Sequence, residues 1–364
     1  MPMKRAPILV AVLAEPRRMA GLDRAAWQLL LRQALRANLS ASLHALAVEH
    51  GVLDTVPASA RAHLAWAATL AARHLQAVDW EIRMIGQALA PLGLPVLLLK
   101  GGAYAAARLP AGRGRLFSDI DILVPRAALP EVESALMLHG WIATHHDAYD
   151  QRYYRQWMHE IPPMVHARRD TAIDVHHTIL PLTARARPDP DTLRAAACAV
   201  PGRPGVQVLS APDMLIHSAT HLFYDGEFGK GLRDLYDIHR LLQERAGDAA
   251  FWEALPARAR ALGLGRPLYY ALRYSSALLG TPVPATAQAA ADAARPAPPL
   301  RWLMDQLFRR ALMPDHPSCG GAAARLARAL LYVRGNWLRM PPALLARHLF
   351  HKAVLSPRAE QVQA

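Results

Sequence analysis

The chain has 364 residues, 52% of them hydrophobic and only 20% charged, a composition that excludes disorder as a description of the whole and leaves room for two or three modules. Lys plus Arg outnumber Asp plus Glu by 42 to 29, and the net charge of +13 favours polyanionic partners. Phosphates, nucleic acid and acidic lipid headgroups all qualify, and charge alone does not choose among them. Cys198 and Cys319 stand far apart, which excludes a disulfide framework or a cysteine-rich zinc site and fits a reducing cytoplasm. Apolar stretches such as 96–99 and 29–31 fall far short of the roughly 20 residues that span a bilayer, so no integral membrane association is expected.

At the start, Lys4 and Arg5 precede an apolar run over 6–14 that resembles a short signal-peptide core. Glu15, Arg17 and Arg18 follow at once without a small-residue cleavage site, so the run reads as mature sequence. Residues 1–92 form a helical region in which Leu75, Val78, Ile82, Ile85 and Leu89 recur at spacings of three and four, one face of a helix. The pattern changes at Pro95. The apolar run 96–99, Lys100-Gly101-Gly102 and an Ala-rich stretch to Arg108 read as strand, glycine turn and helix. A second strand is expected over 119–124, followed by a helix with Pro130 in its first turn and Gly140 at its end. Apolar runs at 161–165 and 172–179 flank a polar turn and read as a hairpin.

These strands and helices make an α+β core over 93–208, in which 184–208 reads as a connector with one short helix. A helical region over 209–281 packs on the core, with segments at 212–224 and 230–244. The Pro/Ala-rich passage 282–300 reads as a linker or loop. The last segment, 301–364, is a basic helical tail with ten Lys/Arg against three Asp/Glu. In it Trp302, Phe308, Arg309, Arg310, Trp337, Arg339, Arg347 and Phe350 mix cations with aromatic rings, in keeping with amphipathic packing or with an acceptor-binding strip.

The chemistry concentrates on the second strand. Residues two apart on a strand share a side, so Asp119 and Asp121 project together while Ile120, Ile122 and Val124 enter the core. Two carboxylates about 4 Å apart at an effective dielectric near 20 repel by roughly 4 kcal/mol, a cost that a bound cation reverses. Mg²⁺ takes oxygen ligands and often completes its shell with phosphates. The run 172–179 puts Asp174 and His176 on one face, which makes a third carboxylate available. Upstream, Lys100-Gly101-Gly102 sits where small residues let backbone amides approach phosphate oxygens.

The combination resembles the DNA polymerase β-like nucleotidyltransferase superfamily, whose pattern is a Gly-containing turn, an Asp-x-Asp/Glu strand and a third acid on a later strand. More closely, Leu98-Leu-Lys-Gly101, Arg115 with Ser118-Asp-Ile-Asp-Ile-Leu-Val124, and Ile173-Asp-Val-His176 are similar to an uncharacterised bacterial nucleotidyltransferase family often encoded beside peptide-tailoring or polysaccharide-synthesis genes. The likeness covers about 80 residues, 98–177. It departs from many superfamily members in having Gly-Gly in place of Gly-Ser and 16 residues, 103–118, between Gly102 and Asp119. The resemblance implies a polymerase-β-like core with a mixed sheet. It further implies that Asp119, Asp121 and Asp174 hold Mg²⁺ or Mn²⁺ and carry catalysis, and that Gly101 and Gly102 line the triphosphate of a nucleoside triphosphate such as ATP.

Around this set, Lys100, Arg115 and Ser118 are further nucleotide-binding candidates, and Arg108 and Arg113 fit either phosphate contact or an exposed basic loop. His176 shares the face of Asp174 and is placed to orient it, whereas His177 points the other way. His159-Glu160 also resembles a family feature near the third acid. His217 and His221 make a His-x-x-x-His pair without the Glu of a zinc protease, since Ser218 stands there. Asp213, His217 and His221 share a helical stripe, so a buried His–Asp bond to Asp237 on the next helix is the expectation, with a role for His221 or Asp237 beside the nucleotide as the other reading.

The functional expectation is transfer of a nucleoside monophosphate to an acceptor hydroxyl or phosphate on a peptide, saccharide or RNA, with release of pyrophosphate. The contrasting expectation is a non-catalytic basic helical protein that binds RNA, peptide or acidic membrane and needs no metal.

Overall fold

The computed structural model describes residues 6–145 and 147–350, with side chains through residue 347. Lys4, Arg5, the side chain of Phe350 and the 351–364 part of the basic tail lie outside the described residues.

The apolar run near the start forms helix Ile8–Ala14 and buries Leu9, Val10, Val12 and Leu13. The Leu9 N–H donates to Gln33 Oε1 at 3.0 Å, which ties this helix to helix Arg24–Arg36. Helix Ala58–Leu89 has 32 residues and extends roughly 48 Å at 1.5 Å per residue. It buries Val78, Ile82, Ile85 and Leu89, the face that the three-four spacing marks out, with Leu75 half-buried. Glu81 is buried on the same helix because Arg169 pairs with it through two bonds of 2.6 and 2.9 Å. The Arg169 guanidinium also lies 5.0 Å over the Trp141 ring, so the long helix clamps the edge of the sheet.

That sheet has seven strands: β1 Val96–Leu98, β2 Asp119–Leu123, β3 Trp141–Ala143, β4 Met164–His166, β5 Ala172–His176, β6 Cys198–Ala199 and β7 Val206–Val208. They lie in the order β3-β4-β5-β2-β1-β7-β6. β1 runs antiparallel to β2 and parallel to β7, and β2 runs parallel to β5. The result is the expected α+β class, a mixed sheet flanked by helices on either side of it in sequence. β1 is buried at every position because it sits centrally between β2 and β7.

The expected hairpin is present but shorter, as β4 and β5, with Asp170 in the left-handed region at φ +55° in its turn. Strand β3 and helix Ala148–Trp157 were not expected from the sequence. The passage 184–208 holds the expected short helix, Pro190–Ala195, and also β6 and β7. β7 takes its partner β1 from about a hundred residues upstream, and no local periodicity announces such a pairing. The linker expected over 282–300 is corrected: it contains helix Ala285–Asp292. Its small residues Ala287 and Ala291 are buried against helices Ala249–Ala261 and Gly265–Leu279, so the alanines serve close packing there.

The basic tail begins as two packed helices, Pro298–Ala311 and Gly321–Arg339. Its cation–aromatic strip divides. Phe308 is fully buried among Phe223, Tyr270 and Tyr274, whereas Trp302 and Trp337 are exposed. Helix Gly321–Arg339 crosses the loop after helix Ala211–Tyr224 with backbone against backbone. A Cβ on Gly335 would lie 2.6 Å from the Asp225 carbonyl oxygen, and one on Gly226, at φ +82°, would lie 2.8 Å from the Leu331 carbonyl oxygen.

Replacing Gly335 with Ala should therefore force the helix off the loop and cost about 1–3 kcal/mol, read as a lower urea midpoint for unfolding of the full chain.

Candidate active site

The pairing of β2 with β5 builds the centre of the site. Asp121 stands opposite Asp174 and Asp119 opposite Ala172 in a parallel register, so Asp119, Asp121 and Asp174 present their side chains to one face. All three line a cleft of about 480 Å³ together with Lys100, Gly101 and Glu160. Ser118 is exposed beside them and donates to Asp119 Oδ1 at 3.3 Å.

Asp121 is only 4% exposed and accepts from Lys100 Nζ at 2.9 Å, with His176 Nε2 on the same oxygen, also at 2.9 Å. Burial alone would raise its pKa, but the Lys100 ammonium and His176 outweigh that and hold the carboxyl far below the usual range. The mirror image holds for Lys100: burial disfavours its charge, and the Asp121 carboxylate more than restores it. Asp174 lies next to this pair and is pushed up to about 7 by burial, then by the neighbouring Glu160 and Asp121 carboxylates. Glu160 is itself raised, chiefly by burial. His176 was expected to orient Asp174. It bonds Asp121 instead, and its Nδ1 lies 3.3 Å from Glu160 Oε2, so these two carboxylates raise its pKa despite burial.

The glycine turn has a second purpose. A Cβ on Gly101 would stand 2.0 Å from Arg115 Nη1 and 2.8 Å from the Phe117 ring, so the turn leaves room for a buried guanidinium. Arg115 is 6% exposed, reaches the cleft, and donates from Nε to Asp237 Oδ2 at 2.6 Å. Gly102 faces Leu98 and Ile120 at ordinary contact distance and is not among the cleft residues. Lys100 itself takes φ +42°, an unusual conformation for a residue with a side chain, at the start of helix Lys100–Ala106.

The expected His–Asp bond between helices is corrected by this arrangement. Asp237 pairs with Arg115, and Asp213 takes two bonds from Arg258, at 2.6 and 2.8 Å. Arginine forks satisfy those buried carboxylates better than an imidazole does. His217 is left buried, and desolvation lowers its pKa well below the ordinary value. His221 does reach the cleft, where its Nδ1 lies 2.5 Å from Asp225 Oδ2. His177 is buried away from the aspartates, and burial drives its pKa down to about 4.

Of the remaining cleft residues, Arg233 has no signal in the sequence, whereas Arg339 belongs to the cation–aromatic strip of the tail and His159-Glu160 to the family resemblance. Arg233 forks onto Asp234 with bonds of 3.0 and 2.7 Å, and Arg339 reaches in from the last long helix to within 3.9 Å of Asp225. Nothing in a linear pattern joins residues 225 and 339; the Gly226–Gly335 crossing does. His159 stacks on His176 with ring centroids 5.1 Å apart, and Glu160 bridges to the backbone of His176.

Three carboxylates facing one cleft, one of them with its pKa raised by burial and by the acids around it, suit a divalent cation with oxygen ligands. Lys100, Arg233 and Arg339 line the same cleft, and cations there suit an anionic ligand such as a phosphate chain. Carboxylates and cations that share one cleft on a mixed sheet are the composition of a phosphoryl- or nucleotidyl-handling site. The chain belongs to the family described as uncharacterised nucleotidyltransferase, whose family model matches residues 23–280. No curated protein and no solved structure matches it. No helix among the described residues is long and apolar enough to cross a membrane.

Two outcomes follow from the charges. A carboxyl whose folded pKa exceeds its unfolded value binds more protons when folded, so the Asp174 contribution to stability falls as pH rises from about 4 to about 7. Metal-free Asp174→Asn should melt a few degrees above the wild type at pH 8 and lose that advantage near pH 4, as followed by circular dichroism. Asp237→Ala leaves the Arg115 charge buried without its carboxylate and should cost about 3–5 kcal/mol in denaturant unfolding.

Proposed function

We propose that the protein is a Mg²⁺-dependent nucleotidyltransferase that moves a nucleoside monophosphate from a nucleoside triphosphate to an acceptor hydroxyl or phosphate and releases pyrophosphate. The observation that carries this reading is the register of β2 on β5, which gathers Asp119, Asp121 and Asp174 at one cleft. The family assignment supports nucleotidyl transfer in general. The acceptor class is a peptide, a saccharide or RNA, and the net charge of +13 favours one that is itself anionic. The catalytic core is the 93–208 module, and the free cysteines suit a reducing compartment such as the cytoplasm.

Asp119, Asp121 and Asp174 are the residues that would hold Mg²⁺ or Mn²⁺, which when bound supplies charge neutralisation on the phosphate oxygens and lowers the pKa of a coordinated hydroxyl. Lys100, which bonds Asp121 Oδ1, is the ammonium that would turn to a phosphate oxygen if a cation were held by that aspartate. Gly101 and Ser118 border the phosphate chain, and Arg233 and Arg339 neutralise its far end. Arg115, fixed by Asp237, holds the turn that carries Lys100 and Gly101. The acceptor oxygen attacks the α-phosphorus, the bond from that phosphorus to the bridging oxygen breaks, and pyrophosphate leaves with the bonding pair. Asp174, which faces the same cleft, is the carboxylate placed to take the acceptor proton. His176 keeps Asp121 oriented, and His221 does the same for Asp225.

The test incubates the full chain with each α-labelled nucleoside triphosphate, Mg²⁺ or Mn²⁺, and peptide, saccharide and RNA acceptors. Label should appear in one acceptor, and Asp119→Asn or Asp121→Asn should lower its rate by about two to three orders of magnitude with an unchanged circular dichroism spectrum. Aspartate variants that keep full function, together with charge reversals in the basic tail that abolish it, would instead establish the non-catalytic binding protein.

A further inference from the structure

The aspartates are not the only metal-binding atoms at the cleft. His159 and Glu160 come from the segment just ahead of β4, and His176 ends β5. One ligand atom from each lies within 4.8 Å of the other two. His176 Nδ1 is 3.3 Å and His159 Nε2 is 3.8 Å from the same oxygen, Glu160 Oε2. His176 is 2% exposed, and its buried Nδ1 makes no hydrogen bond: its one carboxylate neighbour, Glu160, stands at ion-pair distance without hydrogen-bond geometry. Its other nitrogen, Nε2, is engaged by Asp121 at 2.9 Å. A carboxylate on the far nitrogen of an imidazole is the arrangement that fixes the tautomer and ring plane of a metal-ligating histidine and leaves the near nitrogen with its lone pair.

We propose that His159, Glu160 and His176 form a second metal site beside the three aspartates, one that takes a borderline transition-metal dication such as Zn²⁺ through two imidazole nitrogens and a carboxylate oxygen. Mg²⁺ does not favour this set, because it prefers oxygen donors, whereas imidazole suits zinc and its neighbours in the first transition row. Two histidines and a glutamate leave a fourth position free, the composition of catalytic rather than structural zinc sites. His159 and Glu160 both line the cleft, so that open position meets it and takes a phosphate or acceptor oxygen. The ion replaces the His176–Glu160 ion pair and the close His159–Glu160 approach with a shared partner. The site does not require Mg²⁺ at Asp119, Asp121 and Asp174, so it stands or falls apart from the transferase reading.

The test titrates Co²⁺ into the metal-stripped full chain in excess Mg²⁺, which occupies oxygen-only sites, and follows visible absorption. The expected result is one cobalt per chain with the intense bands of a low-coordinate, nitrogen-ligated ion, displaced by Zn²⁺. His159→Asn and Glu160→Gln should weaken that binding about tenfold or more, while Asp119→Asn and Asp174→Asn retain the bands even if nucleotide transfer is lost. Melting curves of the metal-free variants confirm that each is folded. Absence of the bands in the folded wild type would overturn the proposal. So would bands that persist in both His159→Asn and Glu160→Gln, or that disappear with the aspartate variants instead.

Discussion

Repulsion among buried carboxylates governs this molecule. The parallel register of β2 and β5 sets Asp121 beside Asp174, and a single backbone bridge to His176 adds Glu160. Three acids in a partly desolvated space cannot all keep their charges without compensation. Lys100 and His176 compensate Asp121, which stays ionised, and Asp174 absorbs the remainder by holding on to its proton. The fold thus stores an unbalanced negative potential where a cationic ligand would relieve it.

The surrounding structure keeps that cluster from relaxing. A sheet whose central strands are buried cannot slide by one residue without turning every aspartate to the opposite face. The Glu81–Arg169 clamp holds the β4–β5 turn to the long helix, and Arg115 anchors the glycine turn to helix Gly231–Glu244 through Asp237. The second anchor is buried on both sides, so removal of either member leaves the other charge in an apolar interior, and in the first it is Glu81 that depends on its partner, since Arg169 keeps contact with solvent.

The sequence carried the local half of this design. The Asp119–Asp121 spacing, the apolar run ahead of Lys100 and the stripe from Leu75 to Leu89 each express a short-range period, and the corresponding elements are present. The α+β class followed from them. What it could not carry depends on long-range partners. β7 is defined by pairing with β1, the arginines that take Asp237 and Asp213 come from 122 and 45 residues away, and Ala287 and Ala291 count as helix only because other helices bury them. Gly101 read as a turn ahead of the helix, yet it lies within helix Lys100–Ala106, and the reason for a glycine there is a guanidinium fourteen positions later in the chain.

The crossing of Gly226 and Gly335 has a consequence for the boundaries of the functional unit. The family model ends at residue 280, yet Arg339, which reaches the cleft beside Asp225, lies well beyond it. A fragment cut at the family limit would retain every aspartate and still lack one side of its binding groove. The helices Pro298–Ala311 and Gly321–Arg339 are therefore part of the working unit, because the second of them brings to the cleft a guanidinium that a shortened chain has no means of replacing.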